Sequence, residues 1–287
     1  MTGSLMETWE LSTTLFRDGF VSLVVASAIL PPLGTLLLLR RMPFVAVAVP
    51  ALAGAGVALA YFLWPMLVVA ARETLAAPPA FAQNSGAAIV VGVALLWLSR
   101  KGIGERIDAA AALVFVASLA LSEILLLESI YDEVAHRWLH HGHVLSILEA
   151  GRNRVVVTCV CLGLVFVLAR RELWLAAVDR EQATLSGLPA GRWLFLTLAL
   201  VGSACAVLVP ELGPQVVLAL LLAPATLLRS VCGSLVGYAS LSAVVGTLSA
   251  ALTFFVSVSQ DWPVAPALVV SLVIIGTIAR VVVARVS

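Results

Sequence analysis

The run GFVSLVVASAILPPLGTLLLL, Gly19 to Leu39, holds no ionisable side chain and is closed by Arg40 and Arg41. A helix needs about 20 apolar residues to cross the hydrocarbon core of a bilayer, so this stretch predicts a membrane-spanning helix. Comparable runs recur to the end of the chain. Nine can be marked: Gly19 to Leu39, Phe44 to Trp64, Ala80 to Leu98, Asp108 to Leu127, Val155 to Ala169, Trp193 to Val209, Pro214 to Leu228, Leu235 to Val258 and Ala265 to Val283. The third, fifth and seventh are short or broken by Pro and Gly, so eight full spans with a partial ninth is an equal reading.

Composition points the same way. Hydrophobic residues make up 62% of the 287 and charged ones 11%, against about half and about a quarter in soluble domains, and mean hydropathy is +1.10. The net charge of +1, with Lys and Arg dispersed, excludes the clustered basic surface that a nucleic-acid partner requires. Cys159, Cys161, Cys205 and Cys232 fall in or beside apolar runs without a CxxC pair and read as small core residues. Before the first run, Glu7, Glu10 and Asp18 face a single Arg17, the reverse of a signal peptide's basic start. The first helix is therefore expected in the mature protein.

Orientation follows from Lys and Arg near helix ends, which favour the cytoplasmic side. With the N-terminus outside, Arg40, Arg41, Arg100, Lys101, Arg106, Arg170, Arg171, Arg180, Arg192, Arg229, Arg280 and Arg285 lie inside. Arg17, Arg72, Arg137, Arg152 and Arg154 lie outside. The expected architecture is an all-α polytopic bundle of about eight or nine membrane segments, N-terminus outside and C-terminus inside. It forms a single domain over 1–287, with an outer segment 1–18, outer connections 65–86 and 128–154, and an inner loop 170–192.

All four histidines lie in YDEVAHRWLHHGHVLS, Tyr131 to Ser146. On a helix Asp132, His136 and His140 share one face, with Glu133 beside them and His143 after the Gly142 break. Carboxylate with imidazole suits zinc, manganese or iron; a solvated interfacial helix with i, i+4 pairs explains the same pattern. Glu123 sits inside the fourth apolar run. Within a span an ionisable group is a functional candidate, although a position one turn from the interface would let it reach water. Nucleotide chemistry is absent: the only lysine, Lys101, follows no Gly-rich phosphate loop. ATP would have to be handled by a separate subunit.

Several stretches together resemble the permeases of the zinc, manganese and iron branch of ABC importers. They are LLLLRRM ending at Arg40-Arg41-Met42, Arg106-Ile107-Asp108, Asp179 through Gly187-Leu188-Pro189, LALLLAPAT at Leu218 to Thr226, and Asp261-Trp262-Pro263 with Pro266. The resemblance covers most of the chain. It implies a multi-pass protein of the bacterial cytoplasmic membrane, not itself an enzyme, with a divalent metal as cargo and no covalently bound cofactor. The implied partners are a cytoplasmic ABC ATPase, an extracytoplasmic metal-binding protein, a second permease copy or sister permease, and lipid. By the same likeness, Pro224, Ala225, Thr226 and Arg229 open the ATPase-coupling region, 224–232.

One departure stands out. After Arg-Arg-Met the family carries an Asp and, four residues on, a His; here those positions are Val47 and Ala51, and no Asp, Glu or His occurs from Phe44 to Trp64. Either the path handles its cargo without that pair, as a chelate or through the Glu123 and His136 region, or the chain is the degenerate half of a heterodimer. A third reading, a membrane metal-dependent hydrolase built on Glu133, His136 and His140, ranks last because the spacing resembles no zincin motif: HExxH sets its Glu between two His four apart.

Overall fold

A computed structural model of the chain describes residues 16–71, 77–99, 105–131, 133 and 144–286. Among these residues every regular element is helical: α1 (Arg17–Leu39), α2 (Pro43–Ala71), α3 (Ala80–Ser99), α4 (Glu105–Leu127), α5 (Glu149–Leu168), α6 (Arg170–Val178), α7 (Arg180–Leu185), α8 (Ala190–Leu212), α9 (Pro214–Leu228), α10 (Leu235–Gln260) and α11 (Val264–Val286), with a 3-10 turn at Val144–Ser146. Eight of them, α1 to α5, α8, α10 and α11, are long and apolar enough to cross a membrane. The remaining apolar helix, α9, has 15 residues, about 22 Å of rise against a hydrocarbon core of about 30 Å. It is the partial ninth segment.

The predicted connections contract. The outer stretch 65–86 shrinks because α2 continues through Pro65 to Ala71 and α3 starts at Ala80. A proline removes the N–H that would bond the carbonyl four residues back, here that of Tyr61, and Ser129 Oγ from beyond α4 donates to that carbonyl instead at 3.3 Å. The second stretch, 128–154, shortens because α5 starts at Glu149, and most of 170–192 is helix, in α6, α7 and the start of α8.

Contacts sort the helix ends into two groups. At one end Arg40 Nη2 donates to the Trp193 carbonyl at 3.2 Å, Phe44 N–H donates to Asp108 Oδ1 at 2.8 Å, and Leu38, Ala225, Leu228 and Tyr238 pack with Ala279. At the other, Arg152 pairs with Asp18 at 2.6 Å, Arg154 with Glu211 at 2.6 Å, and Tyr61 stands edge-on to Tyr131. The chain alternates between the Arg40 end and the Arg152 end, and the start of α1 and the end of α11 fall at opposite ends.

The middle of the bundle is α1, α2, α8 and α9, and the exposed layer is mostly α3, α4, α5 and α11. In α2 78% of the spanning window is buried, in α11 17%. Lipid tails are as apolar as Leu, so helices associate through close fit. Gly34 of α1 lies against the Leu221 carbonyl of α9 where a Cβ has no room, and Gly56 and Gly86 meet backbone to backbone where α2 crosses α3. Gly246 of α10 lies over Pro31, with a Cβ there only 3.0 Å from the Ser27 carbonyl that Pro31 leaves without its helical donor.

Candidate functional site

Helix α9 exposes a narrow stripe. Val216, Val217, Leu220 and Leu221 are buried, while Gln215, Leu218, Leu222 and Thr226, spaced at three and four residues, look outward. Between that stripe, α2 and α4 lies a cavity of about 180 Å³ lined by Val47, Pro50, Ala51, Gly54, Phe115, Leu119, Ser122, Glu123, Pro214, Gln215 and Leu218. Glu123 is half-buried there and is the one ionisable group on its wall. Ser122 Oγ donates to the Leu119 carbonyl of its own helix at 2.8 Å. Val47 and Ala51, one turn apart, look into this cavity. Its polar atoms come from Glu123, Ser122 and Gln215, and all its acceptors are oxygen.

The backbone break beside it is built by Gly213, whose φ of 91° and ψ of 153° are open essentially to Gly alone. It joins α8 to Pro214, the first residue of α9. Glu211, two residues earlier, accepts from Arg154 Nε at 2.9 Å and Nη2 at 2.6 Å. Gly151 of α5 makes room, since a Cβ there would stand 2.5 Å from Glu211 Oε2. Sequence reasoning missed this pair. Glu211 lies just past the apolar run Trp193 to Val209, so a search for acids inside runs passes it by, and it joins the helix only because α8 continues to Leu212.

The outer cluster is not testable in this way: Asp132, His136, His140 and His143 lie outside the described residues, and Glu133 is exposed. Among the described residues no group of three or more His, Cys, Asp or Glu is placed to hold a metal ion.

The motif positions prove to be helix terminators and caps. Arg41 has φ 58°, and the N–H groups of Met42 and Arg41 reach back to the carbonyls of Leu37 and Leu38. This is a Schellman ending, completed by buried Met42. Gly187, φ 78°, repeats it, with Leu188 bonded to Ala183 and Gly187 to Thr184, and Pro189 caps α8. Asp261, φ 54°, ends α10, with Trp262 N–H bonded to the Ser257 carbonyl, before Pro263 and Pro266 open α11. Asp179 caps α7 by accepting from Gln182 N–H at 2.9 Å.

Of the four residues proposed for coupling, Pro224 and Ala225 are buried, and Thr226 and Arg229 are exposed. Tyr238 Oη donates to the Ala225 carbonyl at 2.5 Å, tying the end of α9 to the start of α10. A bulky charge at Ala225 would therefore disturb the bundle itself. At the same end α6 and α7 carry the exposed apolar side chains Val178, 58% exposed, and Leu185, 89% exposed.

The sequence profile of the ABC 3 transport family matches residues 12–283. The chain belongs to that family. An ABC 3 chain is a membrane-embedded transport subunit, and the eight spanning helices agree with it. The fold is similar to that of PsaBC from Streptococcus pneumoniae, solved in complex with Fab: TM-score 0.75, 18% identity, covering 96% of this chain and 95% of that one. It is also similar to the inward-facing conformation of a protein described as a metal-chelate type ABC transporter: TM-score 0.74, 16% identity, covering 99% and 92%. No curated protein sequence matches this ABC 3 chain.

Proposed function

We propose that this ABC 3 chain is the permease subunit of an ATP-driven importer of a divalent metal, zinc, manganese or iron, in the bacterial cytoplasmic membrane. The Arg40 end faces the cytoplasm. The observation that carries this reading is the cavity between α2, α4 and α9, which places a carboxylate and a carboxamide beside an apolar helix too short to span. A cation leaving water needs oxygen or nitrogen ligands, and Glu123 and Gln215 supply oxygen. ATP hydrolysis belongs to a separate ATPase that meets α6, α7, Thr226 and Arg229, with Leu185 as the apolar contact. A metal-binding protein delivers cargo at the Arg152 end, near Glu133.

The structural likeness to a metal-chelate type transporter supports cargo arriving already coordinated, which would need few ligands from the path. The second reading, one half of a heterodimer, is favoured by Val47 and Ala51, which give the cavity no ligand of their own. Reconstitution with the ATPase tests both. Uptake of metal by the chain alone with its ATPase, lost in Glu123→Gln, supports the first; uptake only when a sister permease is added supports the second. Leu185→Asp is expected to abolish co-purification of the ATPase, and unchanged co-purification would remove α7 from the contact.

A further inference from the structure

A second groove shares no helix with the first. It runs between α1, α5 and α10 toward α6, with a volume of about 260 Å³. Ile29, Phe166, Val167 and Ala243 form its walls, and Gly163 and Ala239 give it depth. Its mouth lies at the Arg40 end, where α5 finishes and α10 begins, and carries Arg170 and Trp174. The Trp174 ring stands edge-on to Phe166 at 6.1 Å. Its indole Nε1 is buried without a hydrogen-bond partner, a donor left without a protein acceptor, which ordinarily costs stability. Arg170 and its neighbour Arg171 are exposed and have no ion-pair partner among the described residues. The acid in the same turn, Glu172, is half-buried.

We propose that this groove seats one anionic phospholipid, with an acyl chain in the apolar trough and the headgroup phosphate at Arg170 and Arg171. The charges decide the occupant. Guanidinium groups at a membrane surface take phosphate in a bidentate fashion, and the aromatic ring at the mouth matches the depth at which Trp settles in bilayers. A helix from a partner protein would fill the trough but leave both arginines without an anion unless it carried an acid at that level. This inference is independent of the cargo and of the ATPase.

The test uses the full chain in phosphatidylcholine vesicles doped with brominated phosphatidylglycerol or, separately, brominated phosphatidylcholine. Bromine quenches tryptophan fluorescence on contact, and subtracting a Trp174→Phe variant isolates the Trp174 signal. Trp174 is expected to be quenched at lower doses of the anionic lipid, by about fivefold for each arginine that contacts it. The preference should vanish in Arg170→Ala/Arg171→Ala, survive in Arg170→Lys/Arg171→Lys, and be untouched by Arg280→Ala on α11. Filling the trough with Ala243→Leu should weaken quenching by both lipids. Equal quenching by the two lipids in the parent chain, a preference that survives removal of both arginines, or quenching indifferent to Ala243→Leu would each overturn the proposal.

Discussion

At the scale of single residues, the ion pair of Arg154 and Glu211 encloses its acid more tightly than the pair of Arg152 and Asp18 does. Glu211's side chain is 11% exposed and Arg154's 38%, so removing the arginine strands an acid that water barely reaches. Arg154→Leu is expected to cost about 3 kcal/mol, the lower end for a broken buried pair because Arg154 is partly solvated. The double replacement Arg154→Leu/Glu211→Leu should recover most of it, and thermal unfolding in detergent, read as a double-mutant cycle, measures both. Full additivity of the two single changes would mean the pair is not coupled. Cys232 gives a second residue-level prediction. Burial pushes its thiol above the ordinary value, so less of the reactive thiolate exists at neutral pH. Alkylation of Cys232 should be slower than that of a free thiol at neutral pH and should keep accelerating through the alkaline range after the free thiol has levelled off. A rate profile that levels off with the free thiol would contradict the burial.

Among the elements, the most informative are the three helix endings at Arg41, Gly187 and Asp261. A side chain in the left-handed region costs about 1–2 kcal/mol, somewhat less for Asp than for a bulky residue. Asp261→Gly should therefore leave stability unchanged or raise it by up to about 1 kcal/mol, and a loss of stability would show that the carboxylate has a further task. These endings explain how legible the elements were. The spans could be read from hydropathy because lipid forbids long polar stretches, and the motifs could be read as landmarks. Their physical role could not, because a left-handed φ is invisible in a string of letters except where glycine stands. Helix ends were misplaced at Pro65 for a comparable reason: the proton that satisfies Tyr61's carbonyl comes from Ser129, far along the chain. The cavity was half legible. Glu123 was visible as an acid in a span, with Ser122 beside it in the chain, but Gln215 joins them only because α4 and α9 meet, which no local pattern announces.

For the whole molecule, orientation is the property that function needs first. In a cysteine-free background, a cysteine at Arg171 should resist an impermeant thiol reagent in intact cells, while one at exposed Gln260 should react. The reverse pattern would turn the bundle over and put the proposed ATPase surface on the wrong side. The alternation of helix ends carries another consequence. Counting the short α9, the described helices traverse the bundle an odd number of times, so α1 begins on one face and α11 ends on the opposite one. A single-chain tandem, made by joining the end of α11 to the start of a second α1 through a short linker, would insert its second half upside down. Two parallel copies can be fused only if the linker itself crosses the bilayer, and circular permutation of this chain meets the same obstacle.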